Sequence, residues 1–106
     1  MAQTLIRAPS RAKRGEVIEI RTLIWHPMET GFRRNNVGGV IPRNIIHTFV
    51  CTYDDVEVFR ADLFPAISAS PFLSFHTVAT ESGTLAFHWT DDAGKTQTEQ
   101  VKISVE

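Results

Sequence analysis

Four histidines and one cysteine are the residues of this chain whose side chains most readily bind metals or act as nucleophiles. They are His26, His47, His76, His88 and Cys51. No two histidines stand at i and i+2, the spacing at which side chains of one strand share a face, and Cys51 is the single cysteine. The spacing therefore predicts no metal site. Because the histidines could still converge through space, a small redox or metal-binding β-sandwich that uses Cys51 and histidines stays open as an alternative.

The sequence around Cys51 indicates a buried thiol and not a nucleophile. Residues 49–53 are largely apolar, and a lone cysteine in such a strand is commonly an inert small hydrophobe. His47 stands too far away along an extended chain to activate the thiol directly. The carboxylate pairs at 54–55 and 91–92 fall in predicted turns, where aspartate bonds its own backbone. The absence of a G-x-S-x-G, a phosphate-binding loop and a dinucleotide fingerprint argues against a hydrolase or a nucleotide-dependent enzyme, so we expect a binding protein with no cofactor.

The segment at residues 26–34 combines residue types that are common at protein interfaces. It follows the strand-like run 16–25 and reads His-Pro-Met-Glu-Thr-Gly-Phe-Arg-Arg. Pro27 has no backbone N–H, so sheet pairing should stop there, and a long loop is predicted over about residues 27–43. Aromatic residues and arginine are enriched at interface centres. The candidate partner-binding residues are therefore His26, Met28, Phe32, Arg33 and Arg34.

Composition restricts the class of protein further. The chain has 106 residues, which fits one domain over residues 1–106, and 11 basic residues against 12 acidic ones give a net charge of −1. This balance argues against a nucleic-acid binder, which needs a clear basic excess. No apolar run approaches the roughly 20 residues that span a membrane, and the first residues lack the apolar region of a signal peptide. A single cysteine excludes an internal disulfide framework.

Alternation of apolar and polar residues predicts an all-β fold, most clearly in residues 16–25. About seven strands are predicted, at residues 4–7, 16–25, 44–53, 56–62, 72–79, 83–90 and 95–105. Residues 11–15 are predicted as a basic turn. The pattern favours an immunoglobulin-like, two-sheet antiparallel β-sandwich with Trp89 and the phenylalanines in its core. Phe64 and Phe72 lie beside turns, where they either contact a partner or cap the ends of the sandwich.

Several motifs resemble those of one known family. The most specific are the His-Pro-Met-Glu-Thr-Gly loop at 26–31 and the Thr-Glu-Ser-Gly-Thr-Leu strand entry at 80–85. The runs Ile-Pro-Arg at 41–43 and Val-Phe-Arg-Ala-Asp-Leu at 58–63 fit the same pattern. These motifs resemble those of the SoxZ family, whose members form a subunit of the bacterial thiosulfate-oxidising system. The resemblance covers roughly residues 5–105.

The resemblance implies an immunoglobulin-like sandwich that pairs with SoxY as a heterodimer, the SoxYZ carrier. In that carrier a cysteine in a Gly-Gly-Cys-Gly-Gly tail of SoxY holds the sulfur substrate and presents it to the other Sox enzymes. These are a haem-containing transferase, a thiosulfohydrolase and a sulfur dehydrogenase. SoxZ itself is implied to be non-catalytic, and Cys51 does not resemble the carrier thiol.

The resemblance also implies a location. Family members are expected to reach the periplasm by export together with SoxY, so this chain is expected to need no signal peptide of its own.

An open strand edge would favour self-association of the isolated chain, because unpaired edges recruit further strands.

Overall fold

The structure is a computed structural model that describes residues 3–65 and 69–106. Its strands are β1 (Thr4–Arg7), β2 (Arg11–Ala12), β3 (Val17–Ile24), β4 (Ile46–Tyr53), β5 (Val56–Asp62), β6 (Phe72–Val78), β7 (Gly83–Asp91) and β8 (Thr96–Val105). Buried and exposed positions alternate along β3, as expected where successive side chains point to opposite faces of a half-buried sheet. Within the two described ranges no helix is long and apolar enough to cross a membrane.

The strands form two sheets. The smaller sheet has the order β1-β3-β6, and the larger has the order β2-β8-β7-β4-β5. Each sheet turns one face toward a shared core of buried apolar residues. This arrangement confirms the predicted all-β, immunoglobulin-like two-sheet sandwich.

The N-terminal segment belongs to both sheets. β1 pairs with β3 in the smaller sheet, and beyond Pro9 the chain joins the larger sheet, where β2 runs parallel to β8. Glu106 donates its N–H to the Ala12 carbonyl at 3.1 Å. Residues 11 and 12, predicted as part of a turn, are therefore strand, while the turn itself lies at residues 13–16, and the antiparallel sandwich contains one short parallel pair. Two residues of strand are too few to produce a readable alternation, so this eighth strand has no signal in the sequence.

An aromatic cluster joins the two sheets at the centre of the core. Phe49 of β4 is fully buried, and its ring centroid lies 5.2 Å from that of Trp89 and 5.9 Å from that of Phe75 on β6. Phe75 also stacks on Phe59 of β5, with centroids 4.3 Å apart. Phe87 completes the cluster beside Phe49. Trp89 and these phenylalanines occupy the core as predicted.

Three other phenylalanines lie outside this core. Phe32, Phe64 and Phe72 are 82%, 65% and 59% exposed. The sequence analysis set these three apart from the core, with Phe32 in the contact segment and Phe64 and Phe72 beside turns, and their exposure agrees with that separation. Aromatic surface left in water beside turns and at a strand end is available to a partner.

The β4–β5 hairpin forms at the predicted aspartate turn. Asp54 and Asp55 have φ values of +49° and +67°, as a type I′ turn requires and as aspartate tolerates better than most residues. The Asp54 carboxylate accepts the Thr84 N–H at 2.8 Å. A side chain at Gly83 would collide with that carboxylate, so glycine lets β7 begin directly beside the turn.

The segment between β3 and β4 forms an irregular two-stranded arm at residues 29–44, called the 29–44 arm below. Two isolated β-bridges pair its two sides, Glu29 with Asn44 and Arg34 with Val40. Residues 32–40 are all exposed, which indicates that the outer part of the arm stands clear of the sandwich. The segment predicted as a long loop is therefore partly paired.

Phe49→Ala should lower the free energy of unfolding by about 3–5 kcal/mol, because it leaves a cavity at the centre of the aromatic cluster. Urea titration followed by tryptophan fluorescence measures this change. The matched control is Phe64→Ala at an exposed position, which should stay within about 0.5 kcal/mol of the original protein. Equal losses in the two variants would contradict the central role of Phe49.

Candidate functional site

The candidate contact segment begins where the β3 ladder stops. Trp25 still donates its N–H to the Gln3 carbonyl at 2.8 Å, which extends the pairing with the β1 side by one residue. Pro27 then has no N–H to offer. Met28 follows with a φ of +52°, an uncommon value for a residue other than glycine. The chain therefore leaves the smaller sheet here and enters the 29–44 arm.

His26 holds the entrance to the arm. Its Nδ1 lies 2.9 Å from the Met28 N–H and accepts that hydrogen bond, which leaves the proton of a neutral ring on Nε2. Nε2 lies 3.7 Å from an Asp91 carboxylate oxygen, and both side chains are nearly buried. His26 therefore joins the start of the arm to the end of β7, and it exposes little surface to a partner.

Met28 lies inside the molecule. Its side chain is 4% exposed, and its sulfur accepts the Ile46 N–H at 3.3 Å. The left-handed backbone at this residue accompanies that inward placement. The sequence places Met28 among the candidate contact residues, but in the structure its side chain supports the base of the arm and has no surface to offer.

The exposed candidates lie together on the arm. Phe32 is 82% exposed, and Arg33 and Arg34, which follow it, are exposed as well. Arg33 lies 2.5 Å from the Glu29 carboxylate, and this contact lowers the pKa of Glu29 and raises that of Arg33. Arg34 instead donates to the Gly38 carbonyl at 2.8 Å, and no carboxylate of the described residues lies within 4 Å of it. Arg34 is therefore the uncompensated positive charge of this group.

Arg43 holds the other side of the arm, and the sequence analysis did not name it as a candidate site residue. Its guanidinium donates to both Asp92 carboxylate oxygens, at 2.7 and 3.0 Å. Hydrogen bonds from Arg43 and from the Ile45 N–H lower the pKa of Asp92. Gly31 packs against this point, because a Cβ there would lie 3.0 Å from that of Arg43, and its φ is +88°.

Two neighbouring aspartates therefore hold the two sides of the arm. Asp91 faces His26 where the chain enters the arm, and Asp92 binds Arg43 where it leaves. The sequence analysis explained this pair as turn residues. Their partners stand far away in the sequence, so no local pattern could reveal the second role.

A cleft of about 470 Å³ opens beside the base of the arm. Trp25, His26, Asn44, Asp91 and Lys95 contribute to its wall. The Asn44 side-chain oxygen is buried and has no hydrogen-bond partner among the described residues. A buried acceptor of this kind is normally satisfied by water or by a donor of a bound group.

The histidines and Cys51 do not form a common site. Each of the other three histidines lies next to a different partner. His47 lies next to Thr48, His76 next to Glu19 and His88 next to Thr98. In residues 3–65 and 69–106 no three histidine, cysteine or acidic side chains lie together as a metal site requires. Cys51 is fully buried, and desolvation raises its pKa to about 12. The redox or metal-binding alternative therefore gains no support from the geometry.

The Cys51 thiol should react with DTNB at pH 8 at least about 100-fold more slowly in the folded protein than in urea, because it stays protonated and covered. Absorbance at 412 nm measures the labelling. Labelling of the folded protein at the unfolded rate would contradict the burial of Cys51.

The sandwich is similar to several solved structures. A superoxide reductase (neelaredoxin) from Ignicoccus hospitalis matches with a TM-score of 0.77 and 19% identity, over 97% of this chain and 80% of that chain. A putative superoxide reductase from Thermotoga maritima matches with a TM-score of 0.72 and 18% identity, over 97% and 85%. The sulfur carrier protein SoxY from Chlorobium limicola f thiosulfatophilum matches with a TM-score of 0.69 and 14% identity, over 97% and 78%. At such identities these matches show the fold alone.

Comparison of sequences is more specific than the comparison of folds. No curated protein matches the chain significantly. The family model described as sulphur oxidation protein SoxZ matches residues 6–102, nearly the whole chain. This match confirms the resemblance carried by the loop at 26–31 and the strand entry at 80–85. The chain belongs to the SoxZ family, whose members have a role in the Sox system of sulfur oxidation.

Proposed function

We propose that this protein is the non-catalytic subunit of a SoxYZ-type carrier, which binds SoxY and helps to present the sulfur adduct on the SoxY cysteine to the Sox enzymes. The observation that carries the proposal is the state of Cys51, the single cysteine of the chain. Covalent attachment of sulfur to a thiol needs an accessible thiolate. Cys51 is fully buried with its pKa raised to about 12, so the carrier thiol has to come from a partner.

The 29–44 arm suits transient docking to the enzymes of the system. It combines the exposed Phe32 ring with the uncompensated charge of Arg34 on an element that stands clear of the sandwich. Sulfur adducts such as a thiosulfonate are anionic, and exposed positive charge steers anions and acidic surfaces toward a binding site. Arg33 contributes less to this field because Glu29 neutralises it.

We also propose that the protein acts in the periplasm after export together with SoxY. The sandwich is held by its core and not by a disulfide, since its one cysteine is free. Such a chain can fold before export and needs no oxidising compartment. Fractionation of cells that express tagged protein with and without SoxY tests this: only the first should place it in the periplasm.

Co-expression with SoxY, tagged on SoxY alone, should give stoichiometric co-elution as a heterodimer. Size-exclusion chromatography with mass detection measures the complex, and a tagged unrelated periplasmic protein is the control. Elution of this chain by itself, with SoxY folded and present, would reject the carrier proposal.

Arg34→Glu should slow the association of the assembled heterodimer with a Sox enzyme about tenfold near 0.01 M salt and less than about twofold near 0.5 M, because salt screens steering. Stopped-flow fluorescence measures the rates. Lys102→Glu is the matched control, since Lys102 is exposed and pairs with Thr84 at the end of β7 away from Asp91. The same slowing in both variants, or no dependence on salt, would count against steering by the arm.

A further inference from the structure

A row of apolar side chains crosses the outer face of the smaller sheet. Leu5 of β1 lies opposite Leu23 of β3, and Leu23 lies opposite Phe72 of β6. Their neighbours Thr22 and Ile24 are buried in the core, so Leu23 and its partners point the other way. Trp25, two residues after Leu23, is exposed just beyond the end of β3 and also lines the cleft beside the arm.

These four residues, Leu5, Leu23, Trp25 and Phe72, form the outer-face patch. Leu5, Trp25 and Phe72 are all classed as exposed, and Leu23 is half-buried. The opposite face of the same strands packs in the core, so the fold does not need apolar residues at these positions. Contiguous apolar surface with aromatic members is typical of protein interaction sites.

Two arginines lie beside the patch. Arg7 and Arg21 lie directly opposite each other in the β1–β3 pairing. They are two residues along their strands from Leu5 and Leu23, a distance of about 7 Å, and face the same side of the sheet. Like charges placed directly opposite each other destabilise a sheet. Arg21 is bound to Glu19 at 2.9 Å, whereas no carboxylate of the described residues lies within 4 Å of Arg7. This charge arrangement becomes favourable when an external carboxylate approaches Arg7.

We propose that the outer-face patch is the surface that binds the folded SoxY subunit, with apolar side chains of SoxY on the patch and a SoxY carboxylate against Arg7. This inference rests on the proposed function and assigns its stable partner to one face. It leaves the 29–44 arm, a separate element, free to dock enzymes. Aromatic and arginine residues, which the patch and its border supply, are the residue types enriched at the centre of interfaces.

A second copy of this chain fits the patch less well. Apolar residues could cover one another, but the outer-facing positions of the smaller sheet hold a single carboxylate, Glu19, which already binds Arg21. A second copy that packs the same face against this one therefore supplies no free carboxylate for Arg7. Charge complementarity thus favours a different protein with an acidic group next to its apolar surface.

The test compares two aspartate substitutions of exposed phenylalanines. Phe72→Asp should raise the Kd for purified SoxY at least about 30-fold, because it places a charge at the centre of the interface. Phe32→Asp tests the arm as the competing surface and should change the Kd less than about threefold. Val56→Asp, at an exposed position of β5 outside both surfaces, is the matched control and should leave the Kd unchanged. Arg7→Glu should raise the Kd about tenfold through repulsion of the SoxY carboxylate. Isothermal titration calorimetry measures the affinities, and thermal unfolding verifies that each variant is folded.

Each other result has a definite meaning. Equal affinity of the original protein and Phe72→Asp would overturn the inference and leave the carrier proposal intact. A larger loss in Phe32→Asp than in Phe72→Asp would also overturn it and place SoxY on the arm. The original protein could also self-associate, and Phe72→Asp could convert it to a monomer without a change in SoxY binding. That result would assign the patch to a second copy and reject the inference. If SoxY does not bind the original protein at all, the proposed function itself fails.

Discussion

The packing of Phe75 against Phe49 and Phe59 is the contact on which the rest of the structure depends. Phe75 belongs to the smaller sheet and the other two to the larger, so this contact fixes the distance and orientation between the sheets. With no disulfide present, core packing is what holds the sandwich. It also fixes the outside, because side chains alternate between faces and a register that buries Phe75 must turn Phe72 outward. The outward position of Phe72, though not its apolar character, is thus a direct consequence of the core.

The 29–44 arm depends on a different kind of contact. Its sides are held at the base by polar groups, with Asp91 facing His26 and Asp92 binding Arg43. A single ion pair near a surface, such as that of Arg43 with Asp92, contributes little to stability. Two adjacent anchors on the end of one strand nevertheless restrict the direction in which the arm leaves the sandwich. An arm held in this way can keep its exposed aromatic and cationic side chains in place without a core of its own.

This division fits the proposed role of the protein beside SoxY. The rigid sandwich hides its one thiol, where desolvation raises the pKa to about 12 and keeps the sulfur unreactive. The outer surface instead carries apolar and cationic groups on two separate elements, the smaller sheet and the arm. A permanent partner and a series of transient ones need such separate surfaces, because a residue buried by the first is not available to the second.

Alternation along the chain by itself determined the all-β class and most strand positions, and the motifs at 26–31 and 80–85 determined the family. Burial of Cys51 also followed from its apolar neighbours. Only the tertiary structure decided the parallel β2–β8 pairing, the burial of Met28 and the second role of Asp91 and Asp92. Period-two patterns report which residues share a face of one strand, whereas these features depend on which strands become neighbours. Pairing across long sequence separations is set by the packing of the whole core, and no local pattern of residues records it.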